Sequence, residues 1–268
     1  MSLVVNKGLA ERLEISEIDT LTSRLTEMQK KAGNPMKVEI QKFGNATAFS
    51  VKNIPGPSFN TVKGLKEGDE KQIDKIIDFY KQKEIPVRFE LTPAHTSPEL
   101  LTHLSETGFY QNDFHTTLFA PLSIVETSYE QKIDIRKLKR NEFDTFADIY
   151  TKGFEMPTFL KSGIAQNNEI LYNIKNWTFY LASYENEPAG IGVLFIKDSI
   201  ATLAAAATLP TFRNKGIQSA VIKHRIYQAI LQNCDLIVGQ AKFGSISQNN
   251  MERAGLSIAY TKAIWVEK

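Results

Sequence analysis

Residues 177–209, WTFYLASYENEPAGIGVLFIKDSIATLAAAATL, constrain the fold more than any other stretch. Three strand-length apolar runs are separated by Glu185-Asn186-Glu187-Pro188 and by Lys197-Asp198-Ser199, residues suited to tight turns, and the whole reads as an antiparallel meander. Such a meander covers one face of a core and leaves an edge or a split where a ligand can enter. Pro210 ends it, because proline lacks the N–H a ladder needs.

Two segments share a strand–helix–glycine–strand plan. PVRFEL (86–91), SPELLTHLSETGF and HTTLFAPL form the first copy; DLIVGQA (235–241), SISQNNMERAGL and IAYTKAIWVE form the second. Gly108 and Gly255 occupy the same place in each, just past the helix, where a left-handed cap favours glycine. Upstream, ATAFSVKNI leads through PGPSFNTVKGLKEGD into the helix pattern DEKQIDKIIDFYKQK, and SIATLAAAATL leads through PTFRNKG into IQSAVIKHRIYQAILQN. The order suggests two related halves, each a mixed, mostly antiparallel sheet flanked by helices: an α/β (mixed α+β) chain with domains at 1–122 and 133–268 and a linker at 123–132. A single strand pattern follows the last helix, so the halves are expected to complete each other's sheets.

The connecting loops differ in charge. The first has Glu67, Asp69 and Glu70 at its helix entrance and would repel a phosphate. The second, TFRNKGIQS, places Arg213, Lys215 and Gly216 within four residues of one another at a helix start. Unpaired helix N–H groups and a glycine permit close approach of an anion; Arg213 can fork two phosphate oxygens, Lys215 adds a point charge and Ser219 a hydroxyl. This is neither GxxxxGK[ST] nor GxGxxG. A basic surface turn is the alternative reading of the loop. The run Ala204, Ala205, Ala206, Ala207 bears on the choice: poor strand formers within a strand suggest either tight helix packing or close approach of a ligand to the backbone. An extended amide-bearing ligand attached to a pyrophosphate describes coenzyme A.

Over residues 133–268 the sequence resembles the GNAT acetyltransferases: the meander, the strand end AATLP, the loop RNKGI within an RxxGxQ variant of the RxxGxG/A signature, the strand LIVGQA and the helix ending ERAGL. Ser247, Asn250, Arg253 and Gly255 spell the S-x-x-N-x-x-R-x-G segment that accompanies RxxGxQ in some bacterial members, so Gln218 marks a subtype; Leu256 stands where phenylalanine is customary. The N-terminal half resembles a degenerate copy without the cofactor loop. The resemblance implies acetyl-CoA as cosubstrate, with main-chain groups of Ala206, Ala207 and Thr208 on the pantetheine and the amides of Asn214, Lys215, Gly216, Ile217, Gln218 and Ser219 on the pyrophosphate, flanked by Leu209, Arg213 and Asn250. It further implies direct transfer to an amine without a covalent enzyme intermediate, and a backbone N–H near Thr208 or Leu209 on the thioester oxygen. The tyrosine that often protonates the departing thiolate is replaced by Met251. Ser247, Asn250 or a water could take its place, with Tyr260 more distant, or the thiolate could leave unprotonated, since a thiol pKa is about 8.5; Glu155 or Glu169 is a candidate base, with a water relay as the alternative. Tyr150, Phe154, Tyr172 and Trp177 could line an acceptor pocket or be core, and His224 reads as a surface residue.

Composition excludes other classes. The 32 basic and 30 acidic residues leave a net charge of +2, so no strongly electrostatic nucleic-acid partner is expected. No apolar run approaches the roughly 20 residues of a membrane span, and the N-terminus lacks a signal-peptide apolar core, so a cytoplasmic location without membrane contact is expected. Cys234 is the only cysteine, and the four histidines show no ligand spacing; no metal is expected. The expected function is N-acetyl transfer to a small-molecule amine; a noncatalytic acyl-CoA binding or sensing module is the alternative, and transfer of a larger acyl group a third possibility.

Overall fold

The computed structural model describes residues 4–54, 56–122 and 132–268. In chain order these form α1 (Lys7–Gln29), β1 (Val38–Phe43), β2 (Ala46–Val51), β3 (Thr61–Lys63), α2 (Glu70–Lys81), β4 (Arg88–Leu91), α3 (Pro98–Glu106) and β5 (Phe109–Pro121). Then follow β6 (Ile133–Lys137), α4 (Phe143–Gly153), α5 (Lys161–Glu169), β7 (Trp177–Tyr184), β8 (Glu187–Lys197) and β9 (Ile200–Thr208). The chain closes with α6 (Ile217–Leu231), β10 (Leu236–Lys242), α7 (Ile246–Arg253) and β11 (Ser257–Glu267). No helix among the described residues is long and apolar enough to cross a membrane.

The chain folds as two compact units. The first comprises the residues up to Thr117 together with Ala241–Ser245 and Ile258–Lys268; the second comprises Leu118–Gln240 and Ile246–Ser257. In the first, the strand order is β1-β2-β3-β4-β11-β5. β11 pairs antiparallel with β4, Ala263 opposite Leu91 and Val266 opposite Arg88, so the last strand of the chain completes the first unit's sheet. The expected linker, apart from Lys132, lies outside the described residues. β3 lies inside the stretch that the sequence reads as a connection: it is only three residues long, and no alternation announces it. Packed on this sheet, Ile73, Ile76 and Tyr80 of α2 and Leu100 and Leu104 of α3 join Val62, Phe89 and Leu91 in one core.

In the second unit the strand order is β10-β9-β8-β7-β6. The meander forms as its turns require, with Glu185, Asn186, Asp198 and Ser199 all at positive φ, the geometry of tight hairpin turns. Phe143, Phe146 and Ile149 of α4 bury one face of the sheet against Phe179, Ile191 and Val193. Ile217, Ala220 and Val221 of α6 cover the other, against Ala182 and Ala189. Gly190 and Gly192 allow that close packing: a Cβ on either would lie 2.6 Å from Ile217 Cγ2 or 2.5 Å from Val221 Cγ1.

Candidate active site

The second unit opens along β9. β9 and β10 run parallel and pair through Ile200–Leu236, Ala201–Ile237 and Thr202–Val238, and no further. Beyond Thr202 one edge of β9 is free while the other stays on β8, Ala205 opposite Val193 and Thr208 opposite Gly190. The β8–β9 register slips between Val193 and Leu194, whose partners are Ala205 and Leu203, which makes Ala204 the extra residue of a bulge. Its consequence shows in the packing. Ala204 and Ala205 both face the α4 cluster, whereas Ala206 faces the α6 cluster. Small side chains at these positions pack against both helix clusters and also leave the free edge accessible.

The Leu209 N–H donates to Ala189 O at 2.9 Å. Leu209 is therefore not a free donor, a correction to its expected place near the thioester oxygen. Strand alternation turns the N–H groups of Thr208 and Ala206 the opposite way, toward the free edge, and that of Ala207 toward Ile191 of β8, so Ala207 too is corrected as a main-chain partner for a ligand.

α6 starts at the mouth of this opening. Gly216, its N-cap, has φ +75°, and no side chain caps the helix; the first intrahelical bond is Ala220 N–H to Gly216 O. The N–H groups of Ile217, Gln218 and Ser219 thus have no intrahelical acceptor, and the first turn contains no acidic residue. Asn214 is also left-handed, at φ +64°. Lys215 Nζ lies 4.7 Å from the Tyr184 ring centroid and 5.0 Å from that of Phe212, which holds the ammonium beside the loop. Arg213 pairs with Glu155 at 3.2 Å and donates to Gly153 O.

Gln218 and the later motif are physically one unit. Asn250 Nδ2 donates to Gln218 Oε1 at 2.8 Å, and Arg253 Nη1 donates to Asn250 Oδ1 at 3.3 Å. The N-x-x-R segment of α7 is thereby tied to the first turn of α6, so the Gln218 carbonyl has a fixed partner and its NH2 faces elsewhere.

A cleft of about 190 Å³ lies at the opening, lined by Tyr150 and Phe154 of the α4 end, Leu203 to Ala206 of β9, Gln218, Ile222 and Arg225 of α6, Gln240 of β10, and Ser247 and Met251 of α7. No carboxylate and no histidine is among these lining residues. Glu155 is not there: it is exposed, on a left-handed backbone, and committed to Arg213. Glu169 pairs with Arg140 on the surface. Ser247 and Met251 do line the cleft, with the buried Met251 Sδ where a Cβ on Gly239 would be. Asn250 acts on Gln218 instead. Trp177 and Tyr172 pack in the α4 core, and Tyr260 lies in the first unit. His224 is not a surface residue: it is half-buried with its ring on Tyr180, and burial lowers its pKa.

Sequence reasoning missed Arg225. It is 2% exposed, yet its guanidinium Nη1 donates to Val193 O (3.1 Å) and Ala205 O (3.0 Å), the carbonyls at the bulge, and Nε donates to Val221 O. Burial lowers its pKa to about 9, partly offset by Tyr180. The signal was present in the helix period, since Ile217, Val221 and Arg225 are four apart on the stripe that faces the sheet.

No family model matches the chain, and no curated protein matches it. Solved structures do. A GCN5-related N-acetyltransferase from Kribbella flavida superposes with a TM-score of 0.70 at 12% identity, covering 96% of this chain and 95% of its own. The chain has the GNAT fold. A tandem GNAT protein from the clavulanic acid biosynthesis pathway matches with a TM-score of 0.59 at 8% identity, over 93% of this chain and 95% of that one. A GCN5-related N-acetyltransferase from Sphaerobacter thermophilus gives 0.63 at 10% identity, over 85% and 82%. At such identities the likeness is one of fold, and the GNAT fold here extends over both units.

Proposed function

We propose that the second unit is an acetyl-CoA-dependent N-acetyltransferase that moves an acetyl group directly to the amine of a small molecule or amino-group-bearing metabolite. The observation that carries this reading is the conjunction of a strand edge freed beyond Thr202 with an uncapped helix start at Gly216. The residues present fit coenzyme A. The α6 amides of Ile217, Gln218 and Ser219 would hold the pyrophosphate, and main-chain groups of Ala206 and Thr208 would pair with the pantetheine amides. When bound, the coenzyme supplies the acyl group as a thioester.

The chain's own groups define the rest. The Thr208 and Ala206 N–H groups are preorganised donors on the free edge, suited to developing negative charge. Since no carboxylate or histidine among the described residues lines the cleft, an ammonium acceptor loses its proton to water, ordered by the Ser247 hydroxyl, the Gln240 amide or the Tyr150 hydroxyl. Calorimetry with acetyl-CoA and release of free thiol across an amine panel test the reading. Saturable binding with turnover on some amine is expected; absence of binding would defeat it.

Met251 favours a second reading. A thioether cannot donate a proton to a departing thiolate, and an acyl-CoA binding or sensing module needs no such donor. That reading predicts saturable acetyl-CoA binding with no turnover on any amine.

A further inference from the structure

A cation with no anionic partner among the described residues is built into the lining of the cleft. α6 runs back along β9: Ile217 lies at Gly190, which pairs with Thr208, and Arg225 lies at Gly192, which pairs with Ala206. Arg225 is nine residues beyond Gly216, about 14 Å along the helix axis. A ligand anchored by an anion at the α6 start and laid down the free edge of β9 therefore reaches the cleft that Ala204, Ala205 and Arg225 line, with Arg225 held at the β8–β9 seam.

The guanidinium has five donors. Nε and Nη1 are used on Val221 O, Val193 O and Ala205 O, and among the described residues Nη2 has no hydrogen-bond partner and no carboxylate forms an ion pair with the group. Three neutral carbonyls satisfy geometry without cancelling charge, and a buried charge without a counter-ion is costly. Arg225 shares the lining of the cleft with Met251, the position that offers no proton.

We propose that Arg225 holds negative charge on the sulfur of coenzyme A, so that this site binds the coenzyme as its thiolate. The inference rests on the proposed acetyltransferase reading. In that reaction the amine nitrogen bonds to the acyl carbon, the carbon–sulfur bond breaks with its electron pair left on sulfur, and the proton lost by the amine goes to water. A fixed guanidinium facing the sulfur removes the need for a proton donor at Met251.

Among the described residues the titratable groups near the guanidinium are His224 of α6 and Tyr180 of β7, with Tyr150 of α4 in the same cleft lining; burial lowers His224 and raises Tyr180 to about 12, so both are neutral at pH 7. The other cleft groups that α7, β9 and β10 present do not titrate near pH 7. A free thiol has a pKa of about 8.5, so binding as thiolate must release a proton at pH 7. Calorimetry of reduced coenzyme A in two buffers of different ionisation enthalpy reads that release directly, with desulfo-coenzyme A as the probe that lacks the sulfur. The expected result is release of about one proton with coenzyme A and none with desulfo-coenzyme A, and about tenfold or more tighter binding of the former. Arg225→Gln should bind both probes alike without proton release, and Arg225→Lys should restore part of the preference. A merely structural Arg225 would leave the proton count of any folded variant unchanged. Equal binding of the two probes by the native chain, or no proton release, overturns the proposal while leaving the acetyltransferase reading intact; binding of neither probe defeats that reading instead.

Discussion

In the second unit the parallel pair β9 and β10 last meets at Thr202 and Val238, and the next positions are Leu203 and Gly239. In the first unit the parallel pair β3 and β4 meets at Val62 and Phe89, and the next positions are Lys63 and Glu90. One opening is lined by an apolar side chain and a glycine; the other is bridged by an ion pair, Lys63 Nζ to Glu90 Oε2 at 2.5 Å. Lys262 and Glu17 complete a buried ring there, with Lys262 2.5 Å from Glu17 and 2.9 Å from Glu90, and Lys63 3.3 Å from Glu17. Burial alone would raise both carboxyl pKa values, but the two lysines outweigh it, lowering Glu17 and holding Glu90 well below the usual range.

The helix starts differ in the same sense. At α2 the buried Asp69 carboxylate accepts the N–H groups of Lys66 and Asn45, and Glu70 accepts that of Gly68. No side chain caps the first-turn N–H groups of α2 itself, but loop donors beside the helix start already face the chain's own anions, and the two carboxylates there oppose a phosphate. At α6 there are none, and Gly216 keeps the approach clear. The same local architecture thus closes on itself in one unit and stays available in the other, and the difference lies in side-chain charge at a few positions.

Removing Lys262 is the harshest way to break the contrast. Lys262→Met leaves two buried carboxylates sharing one lysine, and breaking a buried ion pair in this way costs about 3–5 kcal/mol. Chemical denaturation should show a loss of that size, and a loss below about 1 kcal/mol would mean that the ring does not hold the first unit together. At the open site, Gly216→Glu combines a left-handed backbone with a carboxylate at the anion cradle. Coenzyme A affinity should fall by about a hundredfold or more, roughly 3 kcal/mol by calorimetry; unchanged affinity would refute the cradle.

Acid should act on the first unit through His115. His115 packs beside the charged ring; burial, aided by Lys262, lowers its pKa to about 4. Its folded pKa lies below the unfolded value, so its stabilising contribution is complete above about pH 6.5 and is lost as the pH falls toward 4. The loss approaches about 3 kcal/mol, and His115→Phe should flatten the stability profile between those limits. The smallest effect sharpens the open site: Gln218→Ala and Asn250→Ala should each weaken coenzyme A binding by about 1 kcal/mol. A double-mutant cycle should show that the two are coupled. Additive effects would mean that the hydrogen bond between α6 and α7 does not shape the cradle.

Much of this was legible in the chain. Turn residues and alternation give the meander, Gly108 and Gly255 both take the left-handed conformation past their helices, and Gly216 marks the uncapped start of α6. The charge contrast between the two loops was readable as well. Less legible were β3, too short to show a period, and the partners of Glu155, Gln218 and Asn250, which are distant in sequence.

What the sequence determines by itself is what depends on near neighbours: strand and helix periods, turns, caps and the sign of charge at each helix start. Only the tertiary structure decides what long-range packing brings together. It assigns β11 to the first unit's sheet, and it closes a ring of Glu17, Lys63, Glu90 and Lys262 from four separate elements. It also brings Arg225 beneath the β9 bulge, because the residues on either side of that contact are set by the register of β8 on β9 and the packing of α6 on two glycines.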